Sequence, residues 1–236
     1  MCGRFGLSRP ERLKLERFGV IGFPELHPRY NIAPGSQVLV IRERKLGREA
    51  AELRWGLVPW WADDVSIGAR MANARSDTAY AKPAFRDPMK LRRCLIPADV
   101  FYEWQAVAGE RRKQPYAVAL KSREPFALGG IWDFWKPKGG DVDSGVSTCA
   151  ILTTDPNTLL SPIHDRMPVI VPGGRFAAWL DARTPEPAVR DMVQPFPSDE
   201  LAAWRISTRV NKADADDAGL LEPAEDLPAS GELNLF

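Results

Sequence analysis

Residues 94–104 give the clearest strand signal in the chain. They read Cys94-Leu95-Ile96-Pro97-Ala98-Asp99-Val100-Phe101-Tyr102-Glu103-Trp104. Two apolar runs, Cys94–Ile96 and Val100–Trp104, are separated by a segment containing Pro97. Short runs of aliphatic and aromatic residues bounded by proline are typical of β-strands. The stretch therefore predicts two successive short strands.

Runs of the same kind recur along the chain. They predict further strands at residues 2–7, Gln37–Arg42, Ala51–Trp55, Tyr116–Leu120, Ala127–Trp132, Thr148–Thr153, Val169–Val171 and Arg205–Val210. With 21 prolines and 18 glycines spread through 236 residues, many turns are expected between them.

Helical signals are short and few. A capping-box pattern, Ser8-Arg9-Pro10-Glu11, predicts a helix that ends near Phe18. Asp155-Pro156 predicts a short helix, and two more are predicted at Gly174–Ala182 and Glu186–Val193. The fold class we predict is α+β: a single β-rich domain whose twisted, barrel-like antiparallel or mixed sheet is flanked by short helices.

Composition fits a globular domain with a sizeable core, at 44% hydrophobic and 27% charged residues. No apolar run is long enough to span a membrane, and arginines near the N-terminus interrupt any signal peptide. We expect a cytoplasmic protein. Its three cysteines are odd in number and far apart, and it has only two histidines. Neither disulfides nor a metal site is expected, and no cofactor is predicted.

Charge is distributed unevenly along the chain. Residues 212–236 carry a net charge of −6, so residues 1–211 carry +7. A basic body is compatible with a polyanionic partner, although chance asymmetry explains the numbers equally well. The acidic segment either folds back over the basic face or remains solvated.

Cys2 is the residue with the most unusual chemistry. Initiator methionine is generally removed before a small second residue, so the mature chain is expected to begin at Cys2. Its α-amine, with a pKa of about 7.7 to 8, and its thiol then form a 1,2-aminothiol. Such a group condenses with an aldehyde to an imine, which the sulfur closes to a thiazolidine. Alternatively, Cys2 is only a small residue tolerated at a terminus.

Three other positions suggest chemistry, each with a structural alternative. Asn73 offers an amide and Arg75 a planar fork suited to phosphate, unless their segment is simply a capped loop. Glu103 lies among aromatic residues, where desolvation suits a carboxyl to proton transfer, unless it pairs with an arginine on an edge strand. His164 lies in a loop between charged neighbours, poised for acid–base work, but a lone histidine is often structural.

Basic and flat aromatic side chains alternate in a way that suits nucleic acid. The basic candidates are Arg4, Arg54, Arg75, Arg86, Lys90, Arg92 and Arg93, and the stacking candidates are Trp55, Trp60, Trp61 and Phe85. A base stacked on such a ring contributes about 1–3 kcal/mol. The alternative is that several of the eight tryptophans belong to the core.

Together these segments resemble the SRAP family, the SOS-response-associated peptidases or abasic-site-processing proteins. The matching motifs are Met1-Cys2-Gly3-Arg4-Phe5, Tyr30-Asn31-Ile32-Ala33-Pro34, Arg54-Trp55-Gly56-Leu57-Val58-Pro59, Trp61-Ala62, Asn73-Ala74-Arg75-Ser76, Arg93-Cys94-Leu95-Ile96-Pro97-Ala98, Phe101-Tyr102-Glu103-Trp104, Gly129-Gly130-Ile131-Trp132, Thr153-Thr154-Asp155-Pro156-Asn157 and His164-Asp165-Arg166-Met167-Pro168. The resemblance implies an SRAP domain over residues 1–223 and an acidic C-terminal tail at 224–236.

The resemblance also implies an activity. Family members bind single-stranded DNA, or single-strand/double-strand junctions, at abasic sites. They capture the exposed aldehyde as a thiazolidine on the N-terminal cysteine and so shield the lesion. By this resemblance Cys2 is the nucleophile and Asn73 orients it and the sugar. Glu103 assists proton transfer during ring opening and closure, and His164 acts near the leaving hydroxyl and in Schiff-base chemistry, including reversal.

The DNA contacts carried over from the family are Arg4, Asn31, Pro34, Trp61, Arg75 and Arg86. The peptidase label refers to self-processing that frees Cys2, and strand cleavage by a lyase reaction follows if thiazolidine closure fails. The expected protein is a monomer, associated with the nucleoid when it is bound to DNA, with no membrane or metal partner. Two rival functions remain open: an N-terminal-nucleophile amidohydrolase, and a non-covalent single-strand-binding module.

Overall fold

The computed structural model describes residues 2–20, 22 and 25–224. Met1, whose removal is predicted, lies outside the described residues, as do residues 225–236 of the predicted tail. The two-part domain division therefore stays a prediction.

The described residues form short strands and shorter helices. The strands are β1 (Arg4–Leu7), β2 (Arg29–Ile32), β3 (Gln37–Arg44), β4 (Gly47–Trp55), β5 (Asn73–Arg75), β6 (Arg93–Ala98), β7 (Val100–Gln105), β8 (Gln114–Leu120), β9 (Phe126–Trp135), β10 (Val146–Thr154), β11 (Met167–Pro168), β12 (Ile170–Val171) and β13 (Leu201–Arg205). The α-helices are α1 (Arg86–Leu91), α2 (Phe176–Leu180) and α3 (Glu186–Met192). The 3-10 helices are Pro10–Arg12, Leu15–Phe18, Val65–Arg70, Gly173–Arg175, Ser198–Glu200, Thr208–Asn211 and Ala218–Leu221.

One of the two sheets closes on itself. Strand β10 pairs in parallel with β4 and antiparallel with β9, and the path β4–β3–β6–β9 joins these two neighbours. The result is a five-membered ring of strands, which removes free edges. A second sheet has the order β13–β8–β7–β1–β2. The predicted fold class, a β-rich α+β domain with a barrel-like mixed sheet and short helices, is confirmed.

The core fills the space inside and around the barrel. Trp55 and Trp179 are fully buried, and the Trp55 indole donates a hydrogen bond of 2.7 Å to the Ala72 carbonyl while meeting Phe5 edge to face. Trp55 is therefore a core residue, and its prediction as a base-stacking surface is wrong. Its apolar ring is more stable packed in the interior than facing solvent.

The predicted helix at residues 8–18 is wrong in its detail. Ser8 does not cap a helix, because its backbone N–H and its hydroxyl both donate to the buried Asp99 carboxylate, at 2.9 and 3.0 Å. The segment instead forms the two 3-10 turns Pro10–Arg12 and Leu15–Phe18. Ser8 bonds to Asp99 because leaving a buried carboxylate without donors costs more free energy than leaving an exposed helix end without a cap.

Two other predicted elements are displaced. Residues after Asp155 form turns rather than a helix, with the Asn157 side chain accepting from the Leu160 N–H at 3.0 Å. The last strand lies at Leu201–Arg205, before the predicted position, because Thr208–Asn211 is a 3-10 helix capped by the Ser207 hydroxyl.

Part of the acidic segment packs against the domain. The Asp216 carboxylate accepts from the backbone N–H groups of Tyr30 and Asn31, and Leu220 is fully buried. The Asn31 amide donates to the carbonyls of Val210, Lys212 and Ala215, at 3.2, 2.9 and 2.8 Å. Residues 212–224 thus belong to the folded domain rather than to a tail.

Within residues 2–20, 22 and 25–224, no helix is long and apolar enough to cross a membrane. Cys2, Cys94 and Cys149 are all free thiols. Residues 2–20, 22 and 25–224 contain no group of three or more histidine, cysteine, aspartate or glutamate side chains that could hold a metal ion.

Replacing Asn31 is expected to destabilise the fold. The Asn31→Ala change removes the donor to the Lys212 and Ala215 carbonyls and leaves the Val210 carbonyl with Arg4 alone. It also removes the acceptor of the Arg4 guanidinium, so the free energy of unfolding should fall by about 2–4 kcal/mol. Denaturant unfolding measures this loss. Asn211→Ala is the matched control, since its side chain accepts only an exposed hydrogen bond from Trp104; an equal loss in both variants would contradict the assignment.

Candidate functional site

Cys2 lies two residues before the start of β1, a strand that pairs antiparallel with β7. Arg4 pairs with Tyr102 across the two strands, so one step further along places Gly3 opposite Glu103. The Cys2 side chain is fully buried, and its thiol lies 3.7 Å from the Arg4 carbonyl. Burial, and then the negative charge of Glu103, raise the pKa of the Cys2 thiol. The sulfur is therefore a neutral thiol at pH 7.

Asn73 is joined to Cys2 by its side chain. It begins β5, which runs parallel to β10 with Asn73 opposite Ile151. The Asn73 Nδ2 group donates a 2.8 Å hydrogen bond to the Cys2 carbonyl. Its Oδ1 atom is buried, and no residue of the described chain gives it a hydrogen bond. Burying an amide oxygen without a hydrogen bond lowers the stability of the fold by about 1–3 kcal/mol. The Asn73 Oδ1 atom can therefore accept a hydrogen bond from a bound ligand.

Glu103 is a carboxyl group held out of water. Its side chain is only 1% exposed, and burial raises its pKa to about 8. Most of this carboxyl is therefore protonated near neutral pH, where it can donate a proton and then accept one back. The prediction from its apolar neighbours, that desolvation raises this pKa, agrees with the structure.

His164 completes the cluster from a separate loop. Its Nε2 atom lies 3.8 Å from Glu103 Oε2. The Arg166 N–H approaches Nδ1 at 3.1 Å and Asp165 Oδ1 lies 2.9 Å from the same nitrogen. The contact with the Arg166 N–H requires an unprotonated Nδ1, whereas a hydrogen bond to Asp165 Oδ1 would require a protonated one. Burial lowers the pKa of His164, and Asp165 is highly exposed, so we assign a neutral ring with its proton on Nε2, facing Glu103.

Arg166 was not predicted as a site residue, although it is two residues from His164 in the sequence. It is buried, and its guanidinium donates to Asp155 Oδ1 at 2.5 Å and to the Thr153 carbonyl at 2.9 Å. Gln105 adds a 2.9 Å bond to the Pro162 carbonyl. These bonds fix the loop that carries His164. The available sequence signal was an arginine directly before the apolar residues Met167 and Pro168.

Four predicted DNA contacts are exposed: Arg75, Trp61, Arg86 and Pro34. Arg75, two residues after Asn73 on the same strand, points to the same face. The hydrogen bonds that Arg75 donates to the Asp77 carboxylate raise the pKa of Arg75, and the charges of Asp155 and Asp165 contribute less. Trp61 is 43% exposed, and the Arg86 side chain is also solvent-facing.

Two other predicted contacts already have partners inside the protein. Arg4 donates to Asn31 Oδ1 at 2.8 Å and to the Val210 carbonyl at 3.0 Å, while Asn31 itself is buried. Pro34 is exposed in the turn that ends at Gly35, whose φ of +93° suits glycine. The DNA roles of these residues stay predictions.

The fold and site together define a class: a barrel-based α+β domain whose second residue, a cysteine, is held by an asparagine and lies near a buried glutamate, which in turn faces a neutral histidine. The sequence profile of the family described as SOS response associated peptidase (SRAP) matches residues 1–213. The chain belongs to this family.

Relatives and solved structures agree with that membership. The chain is 38% identical to the abasic site processing protein YoqW of Bacillus subtilis (strain 168), over 94% of this chain and 99% of that protein. It is 33% identical to the abasic site processing protein HMCES of Gallus gallus, over 92% of this chain and 70% of that protein. A crystal structure from Bacteroides thetaiotaomicron superposes with a TM-score of 0.80 at 25% identity, over 95% and 98% of the two chains.

The pKa of Glu103 predicts a pH-dependent stability. Its pKa is about 8 in the folded state and about 4.3 when unfolded, so the folded state binds more protons between these values. The free energy of unfolding that Glu103 contributes should therefore fall as pH rises from about 4.5 to about 8. Glu103→Gln should lose this dependence and exceed the parent in stability above pH 8.

Denaturant unfolding at a series of pH values checks this. Asp99 and Asp133 also have pKa values raised by burial, but they are present in both proteins, so the difference curve isolates Glu103. The exposed Glu52→Gln is the control. Parallel curves for parent and Glu103→Gln would contradict the assignment.

Proposed function

We propose that the chain, once Met1 has been removed, captures the aldehyde of abasic sites in single-stranded DNA as a thiazolidine on Cys2. The observation that carries this proposal is the grouping of three polar side chains around one N-terminal residue. The Asn73 amide donates to the Cys2 carbonyl at 2.8 Å, and the pairing of β1 with β7 brings Glu103 next to the segment that carries Cys2. His164 Nε2 lies 3.8 Å from Glu103 Oε2. The names of the relatives, abasic site processing proteins, support the choice of substrate.

The α-amine of Cys2 is the nucleophile in the first step. With a pKa near 8 it is partly unprotonated at neutral pH, whereas the buried thiol is not ionised. The Cys2 nitrogen adds to the aldehyde carbon of the ring-opened sugar, and a carbinolamine forms. Glu103, protonated at this stage, donates its proton to the departing hydroxyl, and water leaves as the imine forms.

The second step closes the ring. Glu103 is now a carboxylate and accepts the thiol proton, while the sulfur forms a bond to the imine carbon. The imine carbon is attacked while its nitrogen still carries the hydrogen kept from the carbinolamine, as an iminium, so ring closure gives a neutral thiazolidine and needs no further proton. The whole reaction releases one water and returns Glu103 to its protonated form. His164, with its proton on Nε2, assists at the sugar hydroxyl. The Asn73 oxygen, which accepts from no described residue, orients a hydroxyl of the sugar.

The DNA strand is proposed to follow the exposed face beside this cluster. Arg75 supplies a guanidinium to a phosphate near the lesion, Trp61 stacks on a base or wedges a junction, and Arg86 adds positive charge. Pro34 is exposed and is proposed as a further contact, whereas Arg4 and Asn31 would have to give up bonds within the protein to reach DNA. We propose a monomer that acts in the cytoplasm and associates with the nucleoid through its DNA.

The rival functions make different demands on the same residues. An N-terminal-nucleophile amidohydrolase uses the sulfur as nucleophile, but a buried thiol with a raised pKa is poorly suited to attack first. A non-covalent binder needs none of the buried polar cluster. Lyase cleavage requires only the amine, and we place it as the outcome when ring closure fails.

Covalent capture should depend on both functional groups of Cys2. Mixed with a single-stranded oligonucleotide containing one abasic site, the mature chain should give a band that survives denaturation, with a mass equal to the sum of the two components less one water. Cys2→Ser keeps the amine but lacks the sulfur, so it should yield a durable product only after borohydride reduction of the imine. Denaturing gels and intact-mass spectrometry check both.

The control for this experiment is Cys149→Ala, which removes another buried cysteine and should leave the band intact. A stable band from Cys2→Ser without reduction would contradict the thiazolidine. No band from the parent, with Met1 shown to be absent by mass, would leave the amidohydrolase and the plain binder.

Non-covalent affinity should separate charge from stacking. In a Cys2→Ala background, Arg75→Ala should reduce the slope of log affinity against log salt by about 0.7, as one lost phosphate contact does for single strands. Trp61→Ala should weaken binding by about 1–3 kcal/mol with an unchanged slope. Fluorescence anisotropy across a salt series measures both.

Arg183→Ala is the matched control for Arg75. Arg183 is also an exposed arginine paired with an aspartate two residues away. A change in slope equal to that of Arg75→Ala would show that the effect is only one of net charge.

A further inference from the structure

An apolar cavity lies among elements to which the proposed function gives no role. It has a volume of about 280 Å³, and none of the candidate catalytic or DNA-binding residues lines it. Its walls come from the two 3-10 turns after β1, from β9 and β12, and from the 3-10 turn before β13. The chemistry of these walls defines the ligand that the cavity can hold.

The inner wall of the cavity is hydrophobic. Phe18 and Phe176 stack with their ring centroids 4.9 Å apart and their planes 17° from parallel. Phe126, Ile170 and Val171 also line the cavity, and each is at most 5% exposed. The part of a ligand that fills this space has to be apolar, because a polar group placed against these side chains would lose its hydrogen bonds to water.

Basic side chains border the cavity where it meets solvent. Arg12, Lys14 and Arg17 line it and are exposed, whereas Leu13 between them in sequence is buried. Arg12 has a loose ion pair with Glu124 at 3.8 Å. Lys14 and Arg17 form no ion pair with any carboxylate of the described chain. An anion at this border therefore gains charged donors that the described fold does not already use.

The balance of charge points the same way. Among the described residues that line the cavity, Glu200 is the only acid, against three bases. All three bases come from one short segment, residues 12–17. A DNA strand does not match this arrangement, because its charges repeat along a polar backbone. A ligand with one anionic end and an apolar body does match it.

The volume of the cavity sets the size of the apolar body. At about 30 Å³ for each small group, the 280 Å³ of the cavity holds roughly nine non-hydrogen atoms. With the anionic group left at the basic border, this corresponds to a chain of about nine carbons, the length of the chain behind the carboxylate of decanoate.

We propose that this cavity binds a free medium-chain carboxylic acid. Its carboxylate lies between Lys14 and Arg17, and its hydrocarbon chain packs on Phe18, Phe126 and Phe176. The site is separate from the candidate site at Cys2 and does not depend on the function proposed for it.

Chain length tests the hydrophobic part of the proposal. Calorimetric titration of the full chain with butanoate, hexanoate, octanoate and decanoate, below micelle-forming concentrations, should show one saturable site. The affinity should rise about fourfold for each added carbon, as expected for burying one methylene group. It should level off beyond decanoate, because the cavity is then full. An affinity that keeps rising by the same factor up to hexadecanoate would mean adsorption to the surface and would overturn the proposal.

Charge variants test the anionic part. Lys14→Gln/Arg17→Gln should weaken decanoate binding by about tenfold or more, whereas the weaker binding of uncharged decanol should not change. Arg111→Gln/Arg112→Gln is the matched control, because it removes two exposed cations from the loop between β7 and β8 that do not line the cavity. Equal losses in the two variants, or a parent that binds decanol as tightly as decanoate, would contradict the proposal.

NMR of methyl groups tests the location. In the full chain, the methyl resonances of Leu13, Ile170 and Val171, which line the cavity, should shift when decanoate is added. Those of Ile206 and Val210, which belong to a different core cluster, should not. Shifts confined to the second group would place the ligand elsewhere.

A variant that enlarges the cavity tests its size. Phe196 lines this cavity and also a neighbouring one of about 140 Å³. Phe196→Ala removes the shared side chain, so the affinity should continue to rise with chain length past decanoate. A limit that stays at decanoate would mean that the cavity does not set the chain length.

Two other results would overturn the proposal. No saturable binding of decanoate by the parent would mean that the cavity holds no free acid. Binding to phosphatidylglycerol vesicles that is lost in Lys14→Gln/Arg17→Gln, with no binding of the free acid, would assign the basic border to a lipid surface. Neither result involves Cys2, so the capture of abasic sites is tested separately.

Discussion

The double pairing of β10 is the constraint on which both the barrel and the site depend. This strand bonds to β4 on one side and β9 on the other, which closes the ring. It also pairs with β5, and so positions Asn73, and it ends at Thr154, where the loop to His164 begins. Two of the four site residues are thus located by one strand. The other two are brought in by the antiparallel pairing of β1 with β7.

Most strands could be predicted from the sequence because their apolar runs are local signals. Closure of the barrel could not, since it rests on pairing between β4 and β10, which are about ninety residues apart. The Ser8 pattern misled for a similar reason: its competitor, Asp99, is distant in sequence. The sequence motifs identified the four candidate site residues, Cys2, Asn73, Glu103 and His164. That they lie close together could not be predicted, because their positions depend on strand pairing between distant parts of the chain. The internal bonding of Arg4 and Asn31 depends on residues 210–215, which no local pattern connects to them.

The site is costly to the fold in several ways at once. A carboxyl group with a pKa of about 8 is buried, and so is an amide oxygen that accepts no hydrogen bond from the described part of the chain; burial also keeps a thiol from ionising. Each of these disfavours the folded state relative to an apolar interior. The surrounding framework offsets this cost with dense apolar packing and with bonded buried groups such as Asp99, whose carboxylate accepts three hydrogen bonds from Ser8 and Arg9. Such concentration of unfavourable terms is typical of a place where chemistry occurs.

The bond from Asn73 to Cys2 has a consequence for how the reactive end is built. It grips the backbone carbonyl of residue 2 and makes no use of the side chain. Placement of the terminus is therefore separate from the identity of the group it presents. The space around the Cys2 side chain is closed, so only a residue of similar size could take this position. Within that limit the reacting group can change while the point at which it is held does not.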